Sequence, residues 1–340
     1  MSLLTASLLF AACAAIVWMS GARLAYLADA LADRLKLAKS IVGLLALSTA
    51  TSLPEISTTL SAAVKQSQDL VLNNLFGGIA LQTMILAMAD FWARGPITNY
   101  PRKANHAVEA TLLNLMLGVT MVLLLLGEPW SYASIGLGSV FVACVYCGVI
   151  WLLRTRVDED DWIPVDLPDI GTQTQIASSH LPEASTKSLL FQAALSCLSI
   201  LVFGVLLVLS SETIAVETGL GASFVGVTLL AAATSLPELT TSIAAVRLGA
   251  YTMAISNIFG SNLIMLVLVF PADVFYRQGP ILASASPTSL ASLGFGVIVT
   301  SIFLTGLIVR RKPRVGPIGV DSLLVILVFF ASLVCYYALR

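Results

Sequence analysis

Charge is what this 340-residue sequence has least of. Only 11% of its residues are Asp, Glu, Lys or Arg, 58% are hydrophobic, and the mean hydropathy is +0.93. A soluble domain carries about 25% charged residues, so a water-facing surface cannot be assembled from this chain. Histidine is nearly absent: only His106 and His180 occur, both in or near loops, which leaves hydrolytic metal chemistry within the membrane without its usual ligands. No basic tract is present and the net charge is -1, so nothing marks a nucleic-acid partner. Positive charge is also missing from the N-terminus, where no Lys or Arg precedes Arg23. A signal peptide needs such charge ahead of its apolar region, so residues 3–19 read as a retained first helix with its N-terminus outside. The five cysteines, Cys13, Cys144, Cys147, Cys197 and Cys335, all lie in apolar stretches. Cys144 and Cys147 form a C-x-x-C with no His or second pair beside it, which points to packing rather than metal or redox chemistry.

What the chain does have is long apolar runs. A membrane span needs about 20 mostly apolar residues, and ten are predicted, at 3–22, 40–64, 70–91, 104–126, 132–153, 188–210, 221–246, 251–274, 288–309 and 319–339. The fold class is an all-α membrane protein. Residues 155–187 form the one substantial loop, with Asp158, Glu159, Asp160 and Asp161 making it acidic; it reads as a solvated cytoplasmic linker. With the N-terminus outside, the inside loops hold all Lys and Arg residues except Lys65, Arg277 and Arg340. This bias follows the positive-inside rule and puts both termini outside. The expected location is the plasma (inner) membrane, with the lipid bilayer and inorganic cations as partners and no obligate protein partner evident.

The chain repeats itself. Residues 40–90 and 223–273 correspond at a constant offset of 183. Ser40, Val42 and Gly43 match Ser223, Val225 and Gly226, and Ala50-Thr51-Ser52-Leu53-Pro54-Glu55 matches Ala233-Thr234-Ser235-Leu236-Pro237-Glu238 without a break. Asn74, Phe76, Gly77, Ala89 and Asp90 match Asn257, Phe259, Gly260, Ala272 and Asp273. Each copy lies on the second and third spans of a five-span unit. The predicted organisation is therefore residues 1–154 as one five-helix repeat, 155–187 as linker and 188–340 as the second. Five spans is an odd number, so the second unit is inverted, and inverted repeats place a substrate site near the midplane.

The repeated residues suit a cation. An ionisable side chain at the bilayer centre costs about 2.5 kcal/mol or more, and no Lys or Arg lies inside a span to neutralise Glu55 or Glu238. Two such carboxylates brought together repel unless protonated or bridged, and a divalent ion neutralises both. Pro54 and Pro237 have no N–H, so the carbonyls of Ala50 and Ala233 lose their helical donors. A hard cation takes six to eight carboxylate, carbonyl and hydroxyl oxygens. Thr51, Thr58 and Thr59 stack around Glu55 on one helix face, as Thr234, Thr241 and Ser242 do around Glu238. Asn74, Gly78 and Gln82 share a face of the third span, where the second copy has Asn257, Ser261 and Met265; the asparagines are expected either to approach the ion or to lock the kinked backbone, and Gly77 and Gly260 to allow close packing. The candidate ligand set is Glu55, Glu238, Thr51, Thr234, Ser52, Ser235, Asn74, Asn257, Ser261 and Gln82, serving a transported cation, with no resident cofactor.

At these residues the chain resembles the sodium/calcium exchanger family of cation antiporters, whose repeats read G-T-S-L-P-E on one helix and G-N-x-x-G-S-N-I on the next. The resemblance implies a central Ca²⁺ site built from Glu55 and Glu238 with the carbonyls of Thr51 and Thr234. It also implies alternating access by sliding of the first and sixth helices, exchange against Na⁺ or H⁺, and no enzymatic activity. Ala25 to Asp33 resembles the family's lead into its first repeat. The pattern departs at Ala50 and Ala233, which replace Gly. Gly77-Gly78-Ile79 stands for G-S-N in the first copy, and Gln82 and Met265 stand where the family carries Asn or Asp. A thioether is a poor ligand for a hard cation, so coupling is expected to use fewer Na⁺, or H⁺ carried on Glu55 and Glu238. An exchanger of Mn²⁺, Mg²⁺ or K⁺ is the alternative, since oxygen ligands alone do not separate hard ions. A channel needs a continuous polar lining that the fourth, fifth, ninth and tenth spans offer little of.

Overall fold

A computed structural model describes residues 2–35, 48–93, 95–101, 104–132, 134–155, 185–247, 251–284, 286–309 and 314–339. The first helix, α1 (Leu3–Leu35), is 33 residues long and overruns the predicted end at residue 22. Hydropathy falls at Arg23, but the following Ala- and Leu-rich stretch has high helix propensity and no proline, so nothing stops the helix there. At 1.5 Å per residue it spans about 50 Å, well over the ~30 Å hydrocarbon core.

A short helix α2 (Ser48–Thr51) is separated at Ser52 from α3 (Leu53–Val64). Pro54 sits in the first turn of α3, where its missing N–H is tolerated, and the backbone is carried across by Ser52 N–H to the Ser48 carbonyl at 2.9 Å and Ile56 N–H to the Ser52 carbonyl at 3.0 Å. Helix α4 (Gln68–Met88) tightens into a 3-10 turn over Ala89–Trp92. Helix α5 (Asn105–Leu126) stops at Gly127, which takes the left-handed conformation (φ 69°). Strands β1 (Ser131–Tyr132) and β2 (Ile135–Gly136) then form a small hairpin leading into α6 (Leu137–Thr155).

The second half follows the same order. Helix α7 (Thr186–Thr218) again has 33 residues and starts 183 positions after α1. It takes in the last two residues of the predicted linker because Ser185 caps it, its side chain accepting from the Ser188 N–H. The predicted span at 221–246 is broken rather than continuous: α8 (Ala222–Val225), a π-helical turn over Gly226–Leu230, α9 (Ala231–Thr234), then α10 (Leu236–Arg247). The axis bends by 43° between α9 and α10, and Pro237 is the cause; Pro54 stands at the corresponding break between α2 and α3. Then come α11 (Tyr251–Val267), α12 (Val269–Phe275), α13 (Pro287–Ile308), a hairpin of β3 (Arg314–Val315) and β4 (Ile318–Gly319), and α14 (Val320–Ala338). The pairing Ser131 with Gly136 recurs as Arg314 with Gly319, again 183 residues on.

Among the described residues eight helices are long and apolar enough to cross a membrane, and the bent α8–α10 stretch makes a ninth. The predicted span at 40–64 is described only from Ser48, and residues 36–47 and the linker's 156–184, with its acidic run, lie outside the described residues.

Many polar residues are buried within the apolar core, and large apolar side chains cover the outside. Helix α4 is buried from Leu70 to Ala87 apart from the half-buried Leu81, and α11 and α12 are mostly buried. Around them the outer helices expose Leu8, Trp18, Phe141, Trp151, Phe191, Leu198, Leu327 and Phe330, the reverse of a water-soluble surface and the arrangement a bilayer requires. Cys144 and Cys147 are free thiols on the exposed side of α6. Gly77 allows the close approach expected of it: a Cβ there would lie 2.9 Å from the Val227 Cα in the π-helical turn.

Candidate ion-binding site

The site sits where the two kinked helix pairs meet α4 and α11. All ten candidate residues are buried, each 1% exposed or less. Both kinks have the same internal bonding. The Thr51 hydroxyl donates to the Ser48 carbonyl at 3.2 Å, and the Thr234 hydroxyl to the Ala231 carbonyl at 3.2 Å. One turn past the proline, the Thr58 hydroxyl donates to the carbonyls of Pro54 (2.9 Å) and Glu55 (3.2 Å), as that of Thr241 does to Pro237 (2.9 Å) and Glu238 (3.2 Å). Thr58 and Thr241 are thus spent on stabilising the kinked turns. Asn74 Nδ2 donates to Thr58 Oγ1 at 3.4 Å and Asn257 Nδ2 to Thr241 Oγ1 at 3.3 Å, so the asparagines lock the kinks through their nitrogens. Their Oδ1 atoms have no partner and remain available to a ligand.

The two carboxylates are only half satisfied. Glu55 Oε1 accepts from Gln82 Nε2 at 3.3 Å and from the Ser235 hydroxyl of the other copy at 3.4 Å. Glu238 Oε1 accepts from the Ser261 hydroxyl at 3.4 Å, and Ser261 in turn lies 3.5 Å from the Thr51 hydroxyl. Glu55 Oε2, Glu238 Oε2, Gln82 Oε1 and Ser52 Oγ are buried and unpartnered, as are Thr59 Oγ1 and Ser242 Oγ. An unpaired buried polar atom costs about 1–3 kcal/mol, more when charged. A concentration of orphaned oxygens without a cationic side chain is the donor set a hard cation uses. Among the described residues neither glutamate forms an ion pair with Lys or Arg.

Other buried polar residues had a weaker signal or none in the sequence. Asp90 and Asp273 match in the repeat, yet their task is visible only in three dimensions: each ties the end of its own span, α4 or α11–α12, to the hairpin of the other half. Asp90 accepts from the Ile97 N–H (2.8 Å) and the Gly319 N–H (3.0 Å). Asp273 accepts from the N–H groups of Ile281 (2.6 Å) and Gly136 (2.7 Å) and from the Ser139 hydroxyl (2.6 Å). His106, Glu109 and Ser256 form a second buried cluster, with His106 Nδ1 2.9 Å from Glu109 Oε2 and the Ser256 hydroxyl donating to Glu109 Oε1 at 3.1 Å. Some 150 residues separate its two arms, and no local pattern announces it.

This architecture has relatives. The sequence model of the sodium/calcium exchanger protein family matches residues 5–154 and 188–338, two blocks set apart by the same offset as the structural repeat. The inner membrane protein YrbG of Escherichia coli (strain K12) is 27% identical over 311 residues, covering 91% of this chain and 90% of that protein. The putative antiporter CaxA of Alkalimonas amylolytica is 26% identical and covers 80% of each chain. Among solved structures, the sodium-calcium exchanger NCX_Mj shares the fold, with a TM-score of 0.64 at 16% identity over 98% of this chain and 99% of that one. With both halves matched, the chain is a helical membrane antiporter belonging to the sodium/calcium exchanger protein family.

Proposed function

We propose that this antiporter exchanges Ca²⁺ for Na⁺ or H⁺ at a site built from Glu55 and Glu238. The observation that carries the reading is the pair of fully buried carboxylates, each with an orphaned Oε2, on kinked helices related by the internal repeat. A divalent ion bridging them neutralises both charges at once. Its departure would leave two uncompensated carboxylates at membrane depth, which costs several kcal/mol. The vacated site therefore reorients only after Na⁺ or H⁺ has taken the ion's place, and this is what makes the transport an exchange. The ions are cargo, with no resident cofactor needed.

The organisation that goes with this reading is ten spans in two inverted five-helix repeats, residues 1–154 and 188–340, joined by a cytoplasmic linker, with both termini outside the plasma (inner) membrane. Alternating access then moves α1 and α7 against the rest of the molecule. The extensive packing of these two helices on each other, with separate contacts to α10 and α3, supports that division. The test is ⁴⁵Ca²⁺ uptake into proteoliposomes loaded with Na⁺ or held at acidic internal pH. An outward gradient of at least one of these ions is expected to drive uptake; uptake that ignores both gradients would overturn the exchange reading.

A further inference from the structure

Where α1 and α7 lie against the kinked helices, the two crossings mirror each other through the repeat. The Ser57 hydroxyl on α3 donates to the Leu201 carbonyl on α7 at 3.1 Å, and Trp18 Nε1 on α1 donates to the Thr240 hydroxyl on α10. Ser57 and Thr240 are 183 residues apart, as are Trp18 and Leu201. The ends of the crossings are not alike. Lys65, which caps the C-terminus of α3, places Nζ 2.5 Å from Glu212 Oε2 on α7, with the two side chains 30% and 32% exposed. The repeat maps Glu212 onto another acid, Asp29, but it maps Lys65 onto Leu248. Among the described residues, Lys65 and Glu212 form the one ion pair that joins a kinked helix to a long one. Its partners stand on different parts of the molecule. The turn carrying Lys65 is pinned to the loop after α12: Gln66, in the left-handed conformation (φ 62°), donates from Nε2 to the Phe275 carbonyl (3.3 Å) and accepts at Oε1 from the Arg277 N–H (2.7 Å). Gln68 Nε2 adds a bond to the Ile281 carbonyl (2.6 Å). Glu212 instead rides on α7, which is tied to α1 by Ser20 to Ser199 (3.0 Å) and Arg23 to Gln192 (2.8 Å).

We infer that Lys65 and Glu212 form a latch at the outer end of the molecule, which holds α7 against α3 in the state seen here and opens when α1 and α7 move. The inference rests on the proposed exchange by movement of those two helices. A helix that slides along a fixed neighbour cannot keep an ion pair to it, so the pair belongs to one state and is broken in the other. Neither residue is among the buried donors around Glu55 and Glu238, so the latch acts on the balance between states and leaves the ion's own contacts alone. A pair this exposed is worth about two- to fivefold in an equilibrium constant. That is enough to bias two states of similar free energy, and weak enough to break in every cycle. With Leu248 at the position matching Lys65, the bias favours one face of the membrane over the other.

The experiment is gradient-driven ⁴⁵Ca²⁺ uptake into right-side-out and inverted membrane vesicles, which present opposite faces of the protein. Equilibrium ⁴⁵Ca²⁺ binding in lipid nanodiscs, where both faces are open, is the control. Apparent affinity at a face scales with the fraction of molecules open to it. Lys65→Gln and Glu212→Gln should therefore each move the two KM values by about two- to fivefold in opposite directions, while binding in nanodiscs stays at the wild-type level. Lys65→Glu combined with Glu212→Lys, which exchanges the charges, should return both KM values to those of wild type, although either reversal alone shifts them. KM values that do not move, or that move the same way on both faces, overturn the latch. So does a charge-exchanged protein that keeps the shifts of its single variants. Lost nanodisc binding in either Gln variant puts that residue in the ion's path and overturns the latch as well. Wild-type uptake that ignores both Na⁺ and pH gradients overturns the exchange reading itself, a failure seen without any variant.

Discussion

A carboxylate buried in a membrane protein has to meet donors, a proton or a cation, and the acidic residues of this chain divide by which they meet. Asp90 and Asp273 are saturated by backbone N–H groups and hydroxyls and act as structural ties. Glu55 and Glu238 keep an oxygen apiece without a partner. Glu128, in the loop after α5, is intermediate. Its Oε1 accepts from the N–H groups of Gly138 (2.5 Å) and Ser139 (3.2 Å), while Oε2 is buried and unpartnered. Burial first, and the nearby Asp273 charge after it, push the Glu128 carboxyl above its ordinary value of 4.5, against the pull of those N–H groups. The folded state therefore holds this proton more tightly than the unfolded chain does. Its stabilising contribution is complete below pH 4.5 and is lost as the pH rises through the folded-state value. Thermal unfolding in detergent across this range should show a Glu128-dependent loss of stability on going up in pH that Glu128→Gln removes; identical pH profiles for the two proteins would count against it. At this scale the motif residues were readable, because a charged residue repeated within apolar sequence has few structural excuses. The division of labour was not: that each asparagine has one engaged and one idle end depends on contacts to Thr58 and Thr241 across 16 residues that no spacing rule supplies.

Helices carry these residues into place, and their ends and contacts were harder to read than their existence. Hydropathy located the cores of the spans, but α1 runs on past its apolar stretch through alanine- and leucine-rich sequence that stays helical, and α7 runs past residue 210 until Gly219 ends it in the left-handed conformation. The bend at α9–α10 follows from Pro237, whereas the π-helical turn just before it has no signature in the sequence. Two glycines, 183 residues apart, mark where the long helices cross the kinked ones. A Cβ on Gly21 would lie 2.5 Å from Pro237 Cγ, and one on Gly204 2.8 Å from Ser57 Cβ. Gly148 on α6, by contrast, has nothing within 4 Å of the same position. The same substitution should therefore act with opposite signs. Gly204→Ala overpacks a tight crossing and should destabilise by about 1–3 kcal/mol, while Gly148→Ala on an open helix face should stabilise by about 0.5–1 kcal/mol. Unfolding of both variants in one detergent checks the pair, and a stabilised Gly204→Ala protein would show that the crossing has slack.

Among the described residues the two halves repeat one order of helices and hairpin, and they clasp each other. Each copy lends an aspartate to the other's hairpin, and Ser235 of one reaches Glu55 of the other, so the site forms only where the copies meet. The repeat was legible because its key residues are identical at fixed spacing, and counting spans extended it to the first and sixth helices; the two hairpins were not legible, since each is only two residues per strand between apolar spans. The asymmetry at Gly78 and Met265 was visible as two separate departures, and only the structure shows that one fills the space of the other. The central claim, that Glu55 and Glu238 jointly hold the transported divalent ion, is tested most directly by ⁴⁵Ca²⁺ flux in proteoliposomes containing Glu55→Gln or Glu238→Gln. Losing either charge leaves the ion half neutralised, so each variant should lose transport at least about tenfold, the equivalent of 1.4 kcal/mol or more; wild-type flux from either one would contradict the account.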